Sequence, residues 1–123
     1  MKRIFLIEDD PNIRDSLSIL LSKSYDLQMD RNGEALMNHS IIPPDLFILD
    51  RNISGVTGVE LCRFIRQEPK YRSTPVIMLS ASPDILNEAK RVGANGAIEK
   101  PFKMCELLDM INLFTTKELS KAD

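Results

Sequence analysis

The chain has 123 residues, 43% hydrophobic and 28% charged, and its 16 basic and 18 acidic side chains leave a formal net charge of −2. That length suits one domain, and so apolar a chain with nearly balanced charge does not read as disordered. No apolar run approaches the ~18 residues of a membrane span, and no basic stripe offers a footprint for nucleic acid.

Ile4-Phe5-Leu6-Ile7 is a continuous apolar run of strand length. It leads straight into Glu8-Asp9-Asp10, so Met1–Phe5 does not read as a signal peptide. Asp10-Pro11 predicts an N-cap followed by proline at the first helical position, with Ile13, Leu17, Leu20 and Leu21 as one apolar stripe. Tyr25–Met29 is a weaker strand. Asn32-Gly33-Glu34 opens a short helix that stops before Pro43-Pro44, and Leu46-Phe47-Ile48-Leu49 is a strand ending at Asp50. Thr57-Gly58-Val59-Glu60 has the form of a capping box, followed by Leu61, Phe64 and Ile65 on one side of its helix. Val76-Ile77-Met78-Leu79 forms the fourth strand and runs into Ser80-Ala81. Ser82-Pro83-Asp84 caps a helix ending at Gly93. Gly96–Ile98 is a short fifth strand before Lys100-Pro101. Met104, Leu107, Leu108 and Ile111 mark a fifth helix that fades into polar Thr115–Asp123. The expected domain is 1–118, with 119–123 a polar tail or the start of a linker.

Runs that are apolar throughout, rather than alternating, belong to strands covered on both faces, as in parallel sheets. Five strands alternating with five helices predict an α/β, doubly wound fold. Such sheets carry function outside the carboxyl ends of their strands, where the strand order reverses. Glu8, Asp9 and Asp10 follow the first strand, Asp50 the third, Ser80 and Ala81 the fourth, and Lys100 the fifth. Four strand ends thus offer carboxylates, a hydroxyl and an amine to one edge once the first and third strands are neighbours.

Glu8, Asp9 and Asp50 would then repel one another unless a cation compensates. Hard oxygen ligands suit Mg²⁺, which takes one or two carboxylates and keeps several waters. The plainer reading makes Glu8 and Asp9 solvated turn residues, and for Asp10 a helix-capping role is preferred. Asp50 is either a turn initiator before Asn52 and Gly55 or a nucleophile that accepts a phosphoryl group as an acyl phosphate. Lys100 and the Ser80 hydroxyl would neutralise and hydrogen-bond the phosphoryl oxygens, and the small Ala81 leaves an approach open.

The set Glu8-Asp9, Asp50, Ser80-Ala81 and Lys100-Pro101 closely resembles the receiver domain of two-component response regulators, the class of the chemotaxis response regulator. Leu6–Asp10, Asp50–Gly58 and Gly93-Ala94 resemble it too, so the likeness covers about residues 2–114. It implies a flavodoxin-like five-stranded sheet of order 2-1-3-4-5. It implies Asp50 as phosphoacceptor, with Ser80, Ala81, Asn52 and Lys100 binding phosphate. Asp9 and Asp50 would bind Mg²⁺ with the Asn52 backbone carbonyl, Glu8 acting mainly through water. A cis Lys100–Pro101 bond is also implied. The donor would be phosphohistidine of a sensor histidine kinase or phosphotransfer protein, or a small donor such as acetyl phosphate. Phosphorylation would draw Ser80 inward and shift the surface of helix four, strand five and helix five, which an effector or fused output domain reads. A homodimer formed on phosphorylation is a further partner it allows. The domain would be cytoplasmic, contact neither membrane nor nucleic acid, and turn over no separate substrate.

Ala97 departs from the family, which usually has an aromatic residue there, three positions before the lysine. Alanine has no rotamer to swing. Ser54 stands where proline is common, and Ser82 offers no acid or amide to orient a water. Ala97 motivates an alternative, a pseudo-receiver that serves as a phosphorylation-independent interaction module. A flavin-type binder needs a Gly/Ser/Thr-rich phosphate loop after the first strand, where Glu8-Asp9-Asp10 stands instead, and a phosphatase of the Asp-x-Asp kind lacks its spacing. Other residues carry no site. The lone His39 reads as a surface residue of the short helix. Arg63, Arg66, Lys70 and Arg72 read as a solvated face, Met78 and Met104 as core, and Tyr25 and Tyr71 as patternless. Cys62 and Cys105 are too few for a disulfide scaffold or zinc site and read as reduced.

Overall fold

The computed structural model describes residues 1–51 and 56–121, with side chains through residue 116. Asn52, Ser54 and Gly55, which figure in the sequence reading, lie outside the described residues. Strands form on the apolar runs: β1 (Arg3–Ile7), β2 (Asp26–Asp30), β3 (Leu46–Asp50), β4 (Val76–Ser80) and β5 (Gly96–Glu99). Helices α1 (Pro11–Leu21), α2 (Glu34–Met37), α3 (Gly58–Gln67), α4 (Ile85–Val92) and α5 (Met104–Lys121) alternate with them. All pairings are parallel, and the sheet order is β2-β1-β3-β4-β5, as expected. The chain starts mid-sheet, goes outward to β2 and returns past β1 to β3. The reversal therefore falls between β1 and β3, so Glu8 and Asp9 emerge beside Asp50.

Side chains alternate across the sheet. Phe5, Ile7, Phe47, Leu49, Val76 and Met78 face Leu36, Leu61, Ile65, Ala89 and Val92 on one side. Ile4, Leu6, Leu46, Ile48, Ile77 and Leu79 face Leu17, Leu21, Leu107 and Ile111 on the other. β3 and β4 are buried along their whole length, while edge strand β2 is half exposed. Two buried faces account for the unbroken apolar runs.

Local signals hold with four corrections. Asp10 caps α1 through the Asn12 N–H, with Pro11 in the first turn, and Gly93 closes α4 in the left-handed region (φ 86°). Leu20 is 42% exposed, because the core face of α1 runs through Leu17 and Leu21 and position 20 falls on its flank. At α4, Asp84 makes no side-chain cap; the Ser82 hydroxyl accepts from the Asp84 N–H (3.3 Å), and its carbonyl from the Ile85 N–H (3.2 Å). Tyr71 is fully buried, edge-on to Phe47 at 5.6 Å, and its hydroxyl finds no partner among the described residues. Arg66 does not belong to a solvated face. Its guanidinium donates to the carbonyls of Gly93 (2.8 Å), Arg72 (3.1 Å) and Thr74 (2.7 Å) and to Asn95 Oδ1 (2.7 Å). Thr57 caps α3 through the Glu60 N–H (3.2 Å), and its hydroxyl donates to the Glu60 carboxylate (3.3 Å). Both cysteines are free, Cys62 buried and Cys105 exposed.

Gly58 packs the start of α3 onto the end of β3. A Cβ there would lie 2.5 Å from the Asp50 carbonyl oxygen and 2.9 Å from the Arg51 Cα. Backbone cannot give way as a side-chain tip can. Gly58→Ala is therefore expected to destabilise the fold by about 1–3 kcal/mol, seen as a lower urea midpoint with an unchanged slope.

Candidate functional site

Each acidic group is held by the backbone that delivers it. The Glu8 N–H donates to the Asp30 carbonyl (3.1 Å), prolonging the β1–β2 ladder, and the Glu8 carbonyl accepts from Arg14 Nη1 (2.8 Å). The side chain of Glu8 is fully buried, and its Oε2 accepts from the Asp10 N–H (3.2 Å). Asp50 ends β3 and is also buried. Ligand oxygens of Glu8, Asp9 and Asp50 lie within 4.8 Å of one another.

Lys100 joins them from β5's end. Its Nζ is 2.9 Å from Glu8 Oε1 and 3.3 Å from Asp50 Oδ1. Its backbone N–H donates to the Ser80 carbonyl (2.7 Å), and the Lys100–Pro101 bond is cis. Ser80 closes β4 in full burial, and its hydroxyl accepts from the Ser82 N–H (3.0 Å). Ala81 is exposed and, with Ile13, Ser16, Pro101 and Phe102, lines a cavity of about 370 Å³ next to Lys100. Glu8, Asp9, Asp50, Ser80, Ala81 and Lys100 therefore converge on the carboxyl edge of the sheet; Asn52 is not described.

Glu8 and Asp50 face the Lys100 ammonium, and the balance shows in Glu8 and Lys100. Burial, then hydrogen bonding with Asp50, raises Glu8 from 4.5 to about 7, against the opposing pull of Lys100. Burial works against a charged Lys100, but its bond to Glu8 and the charges of Glu8 and Asp50 prevail and raise its pKa. A group of buried and half-buried carboxylate oxygens with surplus negative charge is suited to a hard divalent cation such as Mg²⁺.

Three arginines and a glutamate matter in ways the sequence did not announce. Arg14 fixes the Glu8 backbone and Arg66 closes the opposite end of the molecule. Arg51 reaches α4, with Nε and Nη2 at 2.9 and 2.8 Å from Glu88 Oε2. The basic residues of helices read equally well as solvated charges, and only the spatial partner tells them apart. His39 lies beyond α2 with φ 59°, exposed, its ring against Phe64 at 5.7 Å and Tyr71 at 6.4 Å.

Ala97 sits in β5, 8% exposed. It floors a cavity of about 420 Å³ between α4 and α5, walled by Ile85, Leu86, Met110 and Leu113. Among the described residues no helix is long and apolar enough to cross a membrane.

The family model of the response regulator receiver domain matches residues 4–112, spanning the sheet and every strand end just described. The chain belongs to this family. Among curated proteins, the receiver domain is 36% identical over 121 residues to the phosphate regulon transcriptional regulatory protein PhoB of Rhizobium meliloti, covering 88% of this chain and 49% of that protein. It is 30% identical to the response regulator ArlR of Staphylococcus epidermidis over 125 residues, covering 98% and 56% respectively. The chain thus spans about half the length of these relatives. Among solved structures, the chemotaxis response regulator CheY4 of Vibrio cholerae superimposes with a TM-score of 0.83 at 31% identity, covering 93% of this receiver domain and 98% of that chain.

Proposed function

We propose that this receiver domain accepts a phosphoryl group on the Asp50 carboxylate. The observation that carries the reading is the buried Asp50 carboxylate with the Lys100 ammonium 3.3 Å away and oxygens of Glu8 and Asp9 alongside. The donor is phosphohistidine of a sensor histidine kinase or a phosphotransfer protein, with acetyl phosphate as a small substitute. The P–N bond of phosphohistidine breaks as an Asp50 oxygen bonds to phosphorus, and imidazole leaves. Asp50 is then an acyl phosphate.

Lys100 offsets charge on the phosphoryl oxygens from a fixed position, and Ser80 supplies a hydroxyl donor once it turns from Ser82. Glu8, Asp9 and Asp50 would hold Mg²⁺, joined in the sequence reading by the Asn52 carbonyl. Bound there, Mg²⁺ supplies charge neutralisation. Phosphate binding is assigned to Ser80, Ala81, Asn52 and Lys100. The domain hydrolyses its own acyl phosphate and turns over no other substrate. It is read as cytoplasmic, where kinases form phosphohistidine from ATP. The effector is a fused output domain or a separate protein that meets the α4-β5-α5 surface. Ala97 favours a second reading, a pseudo-receiver that binds partners irrespective of phosphorylation.

Acetyl phosphate with Mg²⁺ should add the mass of one phosphoryl group, removable by hydroxylamine. No mass gain and no beryllofluoride binding would favour the pseudo-receiver. Lys100→Ala is expected to retain Mg²⁺ binding and weaken beryllofluoride affinity at least ~10-fold, as expected for loss of a charge-assisted bond. An unchanged affinity would remove Lys100 from the phosphate site.

A further inference from the structure

Arg51 follows Asp50 directly, and its backbone is fixed on both sides. Its N–H donates to the Leu79 carbonyl of β4 (2.8 Å), and its carbonyl accepts from the Gly58 N–H at the start of α3 (2.9 Å). From this anchored position Nε and Nη2 of its guanidinium lie 2.9 and 2.8 Å from one oxygen of Glu88 in the first turn of α4. The other oxygen, Oε1, lies 3.5 Å from the Ser82 hydroxyl, and the Ser82 N–H donates to the Ser80 hydroxyl. Glu88 is therefore tied on one side to the residue after Asp50 and on the other to the residue two beyond Ser80. Its side chain is only 14% exposed, so these charge-assisted bonds are screened less than those of a surface pair.

We infer that Arg51 and Glu88 are positioning residues that hold α4 and the loop after Ser80 in the resting arrangement, and so set how readily the site is occupied. The inference rests on the proposed phosphoacceptor role of Asp50. A phosphoryl group there needs the Ser80 hydroxyl as a donor. In the resting arrangement the oxygen of that hydroxyl accepts from the Ser82 N–H, which ties its position to the segment that follows. Turning it inward draws the 80–84 segment along, and Glu88, gripped by Arg51, resists through Ser82 and the first turn of α4. Binding at Asp50 must then supply the free energy that loosens the grip, which lowers apparent affinity by the fraction of molecules in the loosened state. Ala97 has no rotamer to carry the state of Ser80 along β5, and the Glu88 junction is a polar route from the site to α4 among the described residues.

The test is calorimetric titration of beryllofluoride with Mg²⁺. Glu88→Gln keeps the shape and removes the charge; affinity is expected to tighten by about tenfold, within the usual range of coupling between two sites. In an Arg51→Gln background the same change should alter affinity less than ~2-fold, because the pair is already broken. A merely structural pair would lower the melting temperature and leave the affinity alone. Unchanged or weaker affinity in Glu88→Gln, or the same gain with and without Arg51, overturns the inference while the unaltered chain still binds. Failure of the unaltered chain to bind removes the phosphoacceptor reading and this inference together.

Discussion

Asp50→Asn is expected to abolish acyl-phosphate formation while leaving the fold intact and, without Mg²⁺, more stable. The amide has no anionic oxygen to attack phosphorus, so the loss is complete rather than graded. Stability rises because one of three converging carboxylates goes: Glu8 and Asp50 both lie within reach of a single ammonium, and their mutual repulsion is relieved. Mass spectrometry after acetyl phosphate treatment and urea titration of both proteins check the two halves. Phosphoryl incorporation equal to that of the unaltered chain would end the nucleophile assignment.

The second large effect is a dependence of stability on pH and Mg²⁺. Glu8 titrates at about 7 in the folded domain against 4.5 for the free side chain. The native state therefore holds this proton more tightly than the unfolded chain does. The contribution is fully present below about pH 4.5 and is lost as pH rises through about 7. The full span amounts to about 3 kcal/mol. Stability of the metal-free domain should accordingly fall across that interval. Mg²⁺ bound as proposed would displace the proton and favour the ionised cluster, so its stabilising effect should grow with pH and reach about 2.7 kcal/mol at a hundredfold excess over Kd. Urea melts at about pH 5 and about pH 8, with and without Mg²⁺, test the sign. A flat metal-free profile, together with a Glu8→Gln variant no more stable than the parent at about pH 8, contradicts it.

Much of this architecture was legible in the chain because its strongest signals are chemical. Unbroken runs such as Leu46–Leu49 and Val76–Leu79 mean burial on both faces, and the residues that follow them had to lie on one edge. Asp10-Pro11 and Gly93 announce helix ends through backbone chemistry that few neighbours can override. What failed depends on partners far away in sequence. Arg66 reads as a solvated charge until Gly93, Thr74 and Asn95 are brought around it. Tyr71 has no periodicity because it is carried into the core from the turn after α3, not from a regular face. Arg51 and Glu88 are 37 positions apart, and neither residue type signals the other.

The four bonds of Arg66 have a consequence for movement. They fasten the far end of α4, at Gly93, to the turn before β4 and to Asn95 at the mouth of β5. The near end is held by Glu88, through Arg51 and Ser82, and by the bonds of Ser82 to the Asp84 and Ile85 N–H groups. A helix pinned at one tip and latched at the other swings like a door on its jamb. Displacement should therefore shrink along the helix axis, widest at Pro83–Leu86 beside the hollow over Ala97 and vanishing toward Gly93.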